Sequence, residues 1–234
     1  MKALPITVII PAHQAEKYLQ ETIESILAQT TRPSEILVVD DGSTDQTNQI
    51  ASSYTEVTVI THPTNLGLSN TLNTGIANAG QPWIAFLDAD DLWLEDKLRQ
   101  QWTQLQAPSV DQENTMVFTQ IEQFMSPDLS PDQQLPLNEK HRIMKGIFKG
   151  TLLLHKKVFE KVGLFDPELT IGDFVDWYAR SRENHVAEIM IPEVLTRRRI
   201  HQTNMGRVLS NQNGQLAKVM LNSIKRRKQR ASAS

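Results

Sequence analysis

The chain has 234 residues, of which 39% are hydrophobic, and its formal net charge is −3. This size and composition allow one well-buried core, and we predict a single domain. The small negative charge gives no reason to expect a nucleic-acid partner, since binding to phosphate backbones requires a basic excess. The sequence contains no cysteine, which excludes disulfides, thiolate zinc sites and cysteine nucleophiles and favours a reducing compartment.

Hydropathy gives no sign of a membrane helix or of a signal peptide. No stretch approaches the roughly 20 consecutive apolar residues that a membrane helix needs. Residues 1–10 lack the long apolar core of a signal peptide. We therefore expect the protein to remain in the cytoplasm.

The first half of the chain alternates predicted strands and helices. A β-branched run at 6–10 predicts a buried strand, and apolar residues at helical spacing follow over 15–29. Further strands are predicted at 35–39, 57–61 and 83–87, and further helices from 43 to about 54, at 69–79 and at 92–104. This alternation predicts an α/β fold with a mainly parallel central sheet flanked by helices.

The second half gives a coarser pattern. Prolines among polar residues at 126–139 predict a long connection or a flap. Beyond it we predict a strand at 150–154, helices at 156–162 and 174–184, and a last helix at 214–230. We accordingly divide the domain, residues 1–210, into a first half (1–106) and a second half (107–210), followed by a C-terminal helix and basic tail (211–234). The basic run at 225–230 predicts a solvated tail or peripheral contact with an anionic membrane.

Acidic residues follow two of the predicted strands. Because ligands bind outside the carboxyl ends of parallel strands, we expect the strand ends at Pro11, Asp40 and Asp88 to border one crevice. The carboxylates of Asp88, Asp90 and Asp91 would repel one another unless a cation or strong donors compensate. Such oxygen ligands favour Mg²⁺ or Mn²⁺ shared with phosphate oxygens. The alternative is a helix cap by Asp90 or Asp91, which needs only one carboxylate.

A second acidic pair, Asp40 and Asp41, precedes a Gly-Ser-Thr turn. One of these carboxylates is expected to accept hydrogen bonds from a base or a ribose. The other is expected to cap the helix that follows.

Several motifs together resemble glycosyltransferase family 2. In chain order these are VIIPAHQAEKYL, ILVVDDGSTDQT, NLGLSNTLNTGI, WIAFLDADD, GTLLLHKKVFEKVGLFDPEL and RRRIHQTN. The resemblance covers most of residues 5–204 and implies a GT-A fold and inversion at the anomeric carbon. It also implies a nucleoside diphosphate sugar donor, by default a UDP-sugar, a Mn²⁺ or Mg²⁺ ion, and a carbohydrate or other hydroxyl-bearing acceptor. On this resemblance residues 1–106 are the nucleotide-sugar-binding half and residues 107–210 the acceptor half.

The resemblance also implies roles for individual residues. The nucleotide-sugar-binding positions are Pro11, Ala12, Glu16, Asp40, Asp41, Asn73, Asp88, Ala89 and Asp90. The metal positions are Asp88, Asp90 and His201, with Asp90 nearest the ion. Leu72 stands where relatives usually carry an arginine, and His13 and Gln14 stand in place of Tyr-Asn.

The largest departure from the family pattern concerns the catalytic base. An inverting transfer needs a carboxylate to remove the proton of the acceptor hydroxyl. The family pattern Gly-Glu-Asp-x-Asp, matched without gaps to the segment from Gly172, puts Asp173 at the glutamate, Phe174 at the catalytic aspartate and Asp176 at the later acidic position. Three interpretations compete: Asp173 is the base, Asp176 replaces it, or the site is catalytically weak. We favour Asp173.

Three other functions compete with glycosyl transfer. A nucleotide-sugar-binding protein without turnover would keep the donor pocket, and Phe174 is the residue that motivates it. A sugar nucleotidyltransferase ranks lower, because no glycine-rich basic loop follows the first strand. A nicotinamide enzyme ranks lower still, because no G-x-G-x-x-G follows any predicted strand.

Overall fold

The computed structural model describes residues 3–130 and 142–204 together with Val219 and Arg226. The strands in this part of the chain are β1 (Leu4–Ala12), β2 (Pro33–Asp40), β3 (Val57–Thr61), β4 (Trp83–Phe86), β5 (Leu92–Trp93), β6 (Thr115–Met125), β7 (Ile143–Lys145), β8 (Leu153–His155) and β9 (Ala187–Ile200). The α-helices are α1 (Leu19–Leu27), α2 (Thr47–Ser52), α3 (Leu68–Asn78), α4 (Lys97–Leu105), α5 (Lys157–Val162) and α6 (Asp173–Glu183). Short 3-10 turns occupy Gln112–Asn114 and Lys149–Thr151. None of the described helices is long and apolar enough to cross a membrane.

The described strands form one sheet, in the order β3-β2-β1-β4-β8-β6-β9-β5, with β7 paired to β6. β1 pairs in parallel with β2 and β4, β2 with β3, and β6 with β9. Because β8 is antiparallel to both β4 and β6, strands β1 to β4, β6 and β9 all run in one direction. The predicted mainly parallel α/β sheet is therefore confirmed, and strands from both halves of the chain belong to it.

The apolar core lies on both faces of the sheet. Ile6, Val8 and Ile10 of β1 pack with α1, α2 and α4 on one face. Ile9, on the opposite side of the same strand, packs with α3, α5 and α6. This arrangement explains the continuous apolar run of β1, since a central parallel strand is covered on both faces.

The helix predicted over 92–104 begins later than expected. Leu92 and Trp93 form β5, which pairs with Arg197 and Thr196 of β9, and α4 begins only at Lys97. Neither Asp90 nor Asp91 therefore caps α4. Helical spacing within 92–104 did not reveal this, because the pairing partner lies about a hundred residues further along the chain.

The structure also contains two long strands that the sequence analysis did not predict. β6 and β9 pair over most of their length, from Thr115 opposite Ala187 to Met125 opposite Ile200. Of the predicted helix at 214–230, only Val219 and Arg226 belong to the described residues, and both are helical. Most of the predicted flap at 126–139 and of the basic tail lies outside the described residues.

Candidate functional site

A cavity of about 840 Å³ opens at the carboxyl ends of β1, β2 and β4. The predicted site residues that line it are Pro11, Ala12, Glu16, Asp41, Asp88, Ala89, Asp90, Asp173 and His201. They come from four separate parts of the chain: the start, the ends of β2 and β4, and the region from α6 to the end of β9. The strand ends meet at one crevice, as the topology predicted.

Asp41 is a buried carboxylate, 3% exposed, that organises the loop before α3. Its Oδ1 lies 2.7 Å from His62 Nδ1 and accepts a 2.8 Å hydrogen bond from the Leu66 amide, while Oδ2 accepts one of 2.9 Å from the Gly67 amide. Burial acts to raise the pKa of Asp41, but these hydrogen bonds outweigh it and hold the pKa below the usual value. Asp41 is thus an ionised group fixed at the wall of the cavity.

Two other predicted nucleotide-sugar residues do not line the cavity. Asp40 caps the turn that follows β2: its Oδ1 accepts from the Ser43 amide at 3.0 Å and its Oδ2 from Asn48 Nδ2 at 3.2 Å. Asn73 makes two hydrogen bonds to the backbone of Phe165. Its Nδ2 donates to the Phe165 carbonyl at 2.9 Å, and its Oδ1 accepts from the Phe165 amide at 3.0 Å. The motif gave their place in the sequence, but the direction of each side chain is set by these local partners.

Asp88 and Asp90 have different partners. Asp88 Oδ1 lies 3.2 Å from Lys149 Nζ, and both side chains face the cavity. Asp90 Oδ2 lies 2.7 Å from His201 Nε2 and accepts a longer hydrogen bond, 3.3 Å, from Asn204 Nδ2. The pKa of Asp88 is raised by burial and by the charge of Asp90, and Lys149 opposes this shift.

Asp91 is 2% exposed and binds the end of β9. Its Oδ1 accepts a 2.8 Å hydrogen bond from the Arg199 amide, and the Arg199 guanidinium donates to the Asp90 carbonyl at 2.9 Å. Burial, together with the charges of Asp90 and Asp88, raises the pKa of Asp91 well above its usual value. Asp91 therefore links the acidic turn after β4 to the end of β9 through a hydrogen bond.

The residues present fit a cation that is shared with a bound phosphate. Within 3–130 and 142–204 no three His, Asp or Glu side chains are arranged around one point to hold a metal alone. Asp90 and His201 nevertheless offer an oxygen and an imidazole nitrogen at the cavity wall, with Asp88 beside them. Mg²⁺ in particular is commonly held by one or two carboxylates plus substrate phosphates.

The two candidates for the base have different environments. Asp173 begins α6, lines the cavity and is 8% exposed, and its Oδ2 has no hydrogen-bond partner among the described residues. Asp176 does not line the cavity: Oδ2 pairs with Arg180 at 2.8 Å and Oδ1 with Arg226 at 3.1 Å. Phe174 packs in the core against Phe118 and other aromatic rings. Of these positions, only Asp173 presents a carboxylate to the cavity.

Sequence reasoning missed Lys149 and the contacts that Arg199 makes with Asp90 and Asp91. Lys149 directly precedes the strand predicted at 150–154, and Arg199 is one of three consecutive arginines, whose basic groups suit an anionic diphosphate. No local pattern distinguishes them, because each acquires its role through contacts with residues distant in sequence.

The fold and the cavity define an α/β protein with acidic groups gathered at the carboxyl ends of its parallel strands. The family model described as glycosyl transferase family 2 matches residues 7–163, and the chain belongs to this family. An uncharacterized glycosyltransferase of Rickettsia felis is 31% identical over 222 residues, covering 89% of this chain and 36% of the relative. One from Rickettsia typhi is 30% identical over 218 residues, covering 88% of this chain and 67% of the relative. The chain thus spans little more than a third of the length of the Rickettsia felis protein.

A solved structure supports the fold. Staphylococcus aureus TarS 1-349, in complex with UDP-GlcNAc, superposes with a TM-score of 0.67 at 19% sequence identity. The match covers 86% of this chain and 60% of TarS 1-349. The predicted GT-A fold is confirmed by this likeness.

Proposed function

We propose that the chain is an inverting glycosyltransferase that moves a sugar from a UDP-sugar to a hydroxyl-bearing acceptor, with Mn²⁺ or Mg²⁺. The observation that carries the proposal is the meeting of Asp41, Asp88, Asp90 and Asp173 at one cavity. The TarS complex with UDP-GlcNAc supports a uridine nucleotide as the donor class.

The donor-binding part of the proposal rests on the walls of the cavity. We assign the base of the donor to Asp41 and the ribose or the sugar to Asp88, with each carboxylate as a hydrogen-bond acceptor at the cavity wall. Asp90 and His201 would hold the cation, which, when bound, neutralises charge on the departing diphosphate. Arg198, which also lines the cavity, adds a positive charge.

The transfer step rests on Asp173. Its carboxylate takes the proton of the acceptor hydroxyl as the acceptor oxygen bonds to the anomeric carbon. The bond between that carbon and the diphosphate oxygen breaks with inversion, and UDP leaves with the bonding electrons. Asp173 lines the cavity and its Oδ2 has no hydrogen-bond partner within the described part of the chain. These two observations favour it over Asp176, whose oxygens are engaged by two arginines.

The test measures UDP release from UDP-glucose, UDP-GlcNAc and UDP-galactose with MnCl₂ present and with water as the acceptor of the sugar. We expect Asp173→Asn to lower kcat about 100-fold or more, as loss of a general base does, while the Kd for UDP stays within about threefold. The matched variant Asp176→Asn changes an aspartate of the same helix and should keep kcat within about tenfold.

Two outcomes would contradict this assignment. Full turnover by Asp173→Asn together with a large loss in Asp176→Asn would make Asp176 the base. Wild-type protein that binds UDP and UDP-sugars but releases no UDP from any donor would favour the binding protein without turnover.

A further inference from the structure

Lys149 places a positive charge in the cavity wall. The residue begins the 3-10 turn before β8, and its side chain is only 12% exposed. Its ammonium group lies 3.2 Å from Asp88 Oδ1 and lines the same cavity as Asp173. A lysine buried to this degree carries a desolvation cost, which the neighbouring carboxylates offset.

The backbone that carries Lys149 is fixed by buried side chains. Trp93 Nε1 donates to the Gly150 carbonyl at 3.0 Å, and Gln101 Nε2 donates to the Thr151 carbonyl at 2.7 Å. Trp93 and Gln101 are 3% and 0% exposed. These bonds come from β5 and α4, so the turn is held by the core rather than by the solvent-facing surface.

The ammonium group can donate more hydrogen bonds than its ion pair with Asp88 uses. It carries three N–H groups, and the ion pair with Asp88 needs only one of them. The ammonium group lies 3.2 Å from Asp88 Oδ1 at the cavity wall, so its other N–H groups are available to a ligand bound in the cavity.

The position of Lys149 indicates which part of a bound donor its ammonium group would contact. This step rests on the proposed function. A sugar in transfer must lie between the diphosphate, held near Asp88 and Asp90, and the base Asp173. Lys149 contacts Asp88 and lines the same cavity as Asp173, so its ammonium group borders that space.

We propose that Lys149 is a specificity-determining residue that hydrogen-bonds an oxygen of the transferred sugar. A sugar that places a hydroxyl or carbonyl oxygen at this ammonium is bound. A sugar without that oxygen leaves a buried donor without a partner, and sites built on such hydrogen bonds reject the defective analogue strongly.

The test compares the affinities of UDP and of a UDP-sugar. Calorimetry gives both Kd values for wild type and for Lys149→Met, using whichever of UDP-glucose, UDP-GlcNAc and UDP-galactose the wild type binds most tightly. We expect the ratio Kd(UDP-sugar)/Kd(UDP) to rise about tenfold in the variant, the size of effect typical of a lost charged hydrogen bond. The ratio is the readout because both ligands carry the diphosphate, so a change in the charge of the site affects both.

A matched control separates specificity from general effects. Lys157→Met removes a lysine from an exposed ion pair with Glu113, at 2.7 Å, outside the cavity lining. We expect it to leave both Kd values unchanged. A merely structural role of Lys149 would lower the melting temperature and weaken both ligands alike, and a ratio within about threefold of wild type overturns the proposal.

A second variant protects the test against misfolding. If Lys149→Met shows no cooperative melting transition, Lys149→Arg keeps the charge but moves the donors, because the guanidinium is longer and planar. More than a threefold change in the ratio is expected for it as well, and an unchanged ratio overturns the proposal. Failure of the wild type to bind UDP and every UDP-sugar would instead overturn the donor assignment itself.

Discussion

Aspartates of the same motif have different roles because their hydrogen-bond partners differ. Asp40 caps a turn, Asp41 receives hydrogen bonds from three donors, and Asp91 anchors the end of β9. In each case a buried carboxylate is stabilised by the donors that face it. The chemical type of the residue is thus visible in the sequence, whereas its role depends on partners from elsewhere in the chain.

The hydrogen bonds of Asp41 predict a pH-dependent contribution to stability. The folded-state pKa lies below the ordinary value of 3.8, so the stabilisation is present above about pH 4 and is lost as the pH falls through the folded-state pKa. Asp41→Asn should lower the free energy of unfolding by about 1–3 kcal/mol at pH 7. Urea unfolding at several pH values should show that the difference in the free energy of unfolding between wild type and Asp41→Asn decreases below about pH 4.

The exposed Asp111 provides the control for this prediction. Asp111→Asn should leave the urea midpoint almost unchanged throughout, as is usual for surface substitutions. If the difference in the free energy of unfolding between wild type and Asp41→Asn stayed constant down to pH 2, this result would contradict the ionised role of Asp41.

At the scale of elements, α6 is tied to the C-terminal segment. Arg226 Nη1 lies 3.1 Å from Asp176 Oδ1, and its Nε lies 2.9 Å from Glu183 Oε2. Both carboxylates are nearly buried, and Val219 is 3% exposed. Arg226 was assigned by its sequence context to a solvated or membrane-bound tail, but it instead bonds the helix that begins with Asp173.

Replacing Arg226 should weaken the packing of α6 against the C-terminal segment. Arg226→Met leaves two nearly buried carboxylates without one of their partners, and we expect a loss of about 1–3 kcal/mol in the free energy of unfolding, measured by urea unfolding. The control Arg99→Met breaks an exposed ion pair with Asp96 and should shift the midpoint very little. Equal effects of the two variants would contradict the docking role of Arg226.

At the scale of the whole molecule, the cavity joins both halves of the chain. Asp90 follows β4 and its partner His201 follows β9, and both residues line the cavity. A ligand that binds both halves in the native state should therefore stabilise the complete domain against unfolding.

This coupling predicts a metal-dependent thermal shift. UDP at about 100 times its Kd should raise the melting temperature by roughly 5–10 °C, and Mn²⁺ should add to the shift at a fixed, lower UDP concentration. Asp90→Ala should lose the manganese-dependent part. Asp96→Ala, at a half-buried residue that pairs with Arg99 and does not line the cavity, is the control and should show the manganese response of wild type. A full manganese response in Asp90→Ala would remove Asp90 from the metal site.

The sequence by itself determined what is encoded in contiguous residues. The strand at 57–61, the acidic turn after β4 and membership of glycosyl transferase family 2 could all be predicted, because periodicity and motif spacing are local properties. Only the tertiary structure decided that Lys149 faces Asp88, that Asp40 points into a turn, and that β6 pairs with β9. Lys149 and Asp88 lie 61 residues apart, and the paired residues of β6 and β9 lie 72 to 75 residues apart. The direction of a side chain follows from such packing rather than from its sequence neighbours.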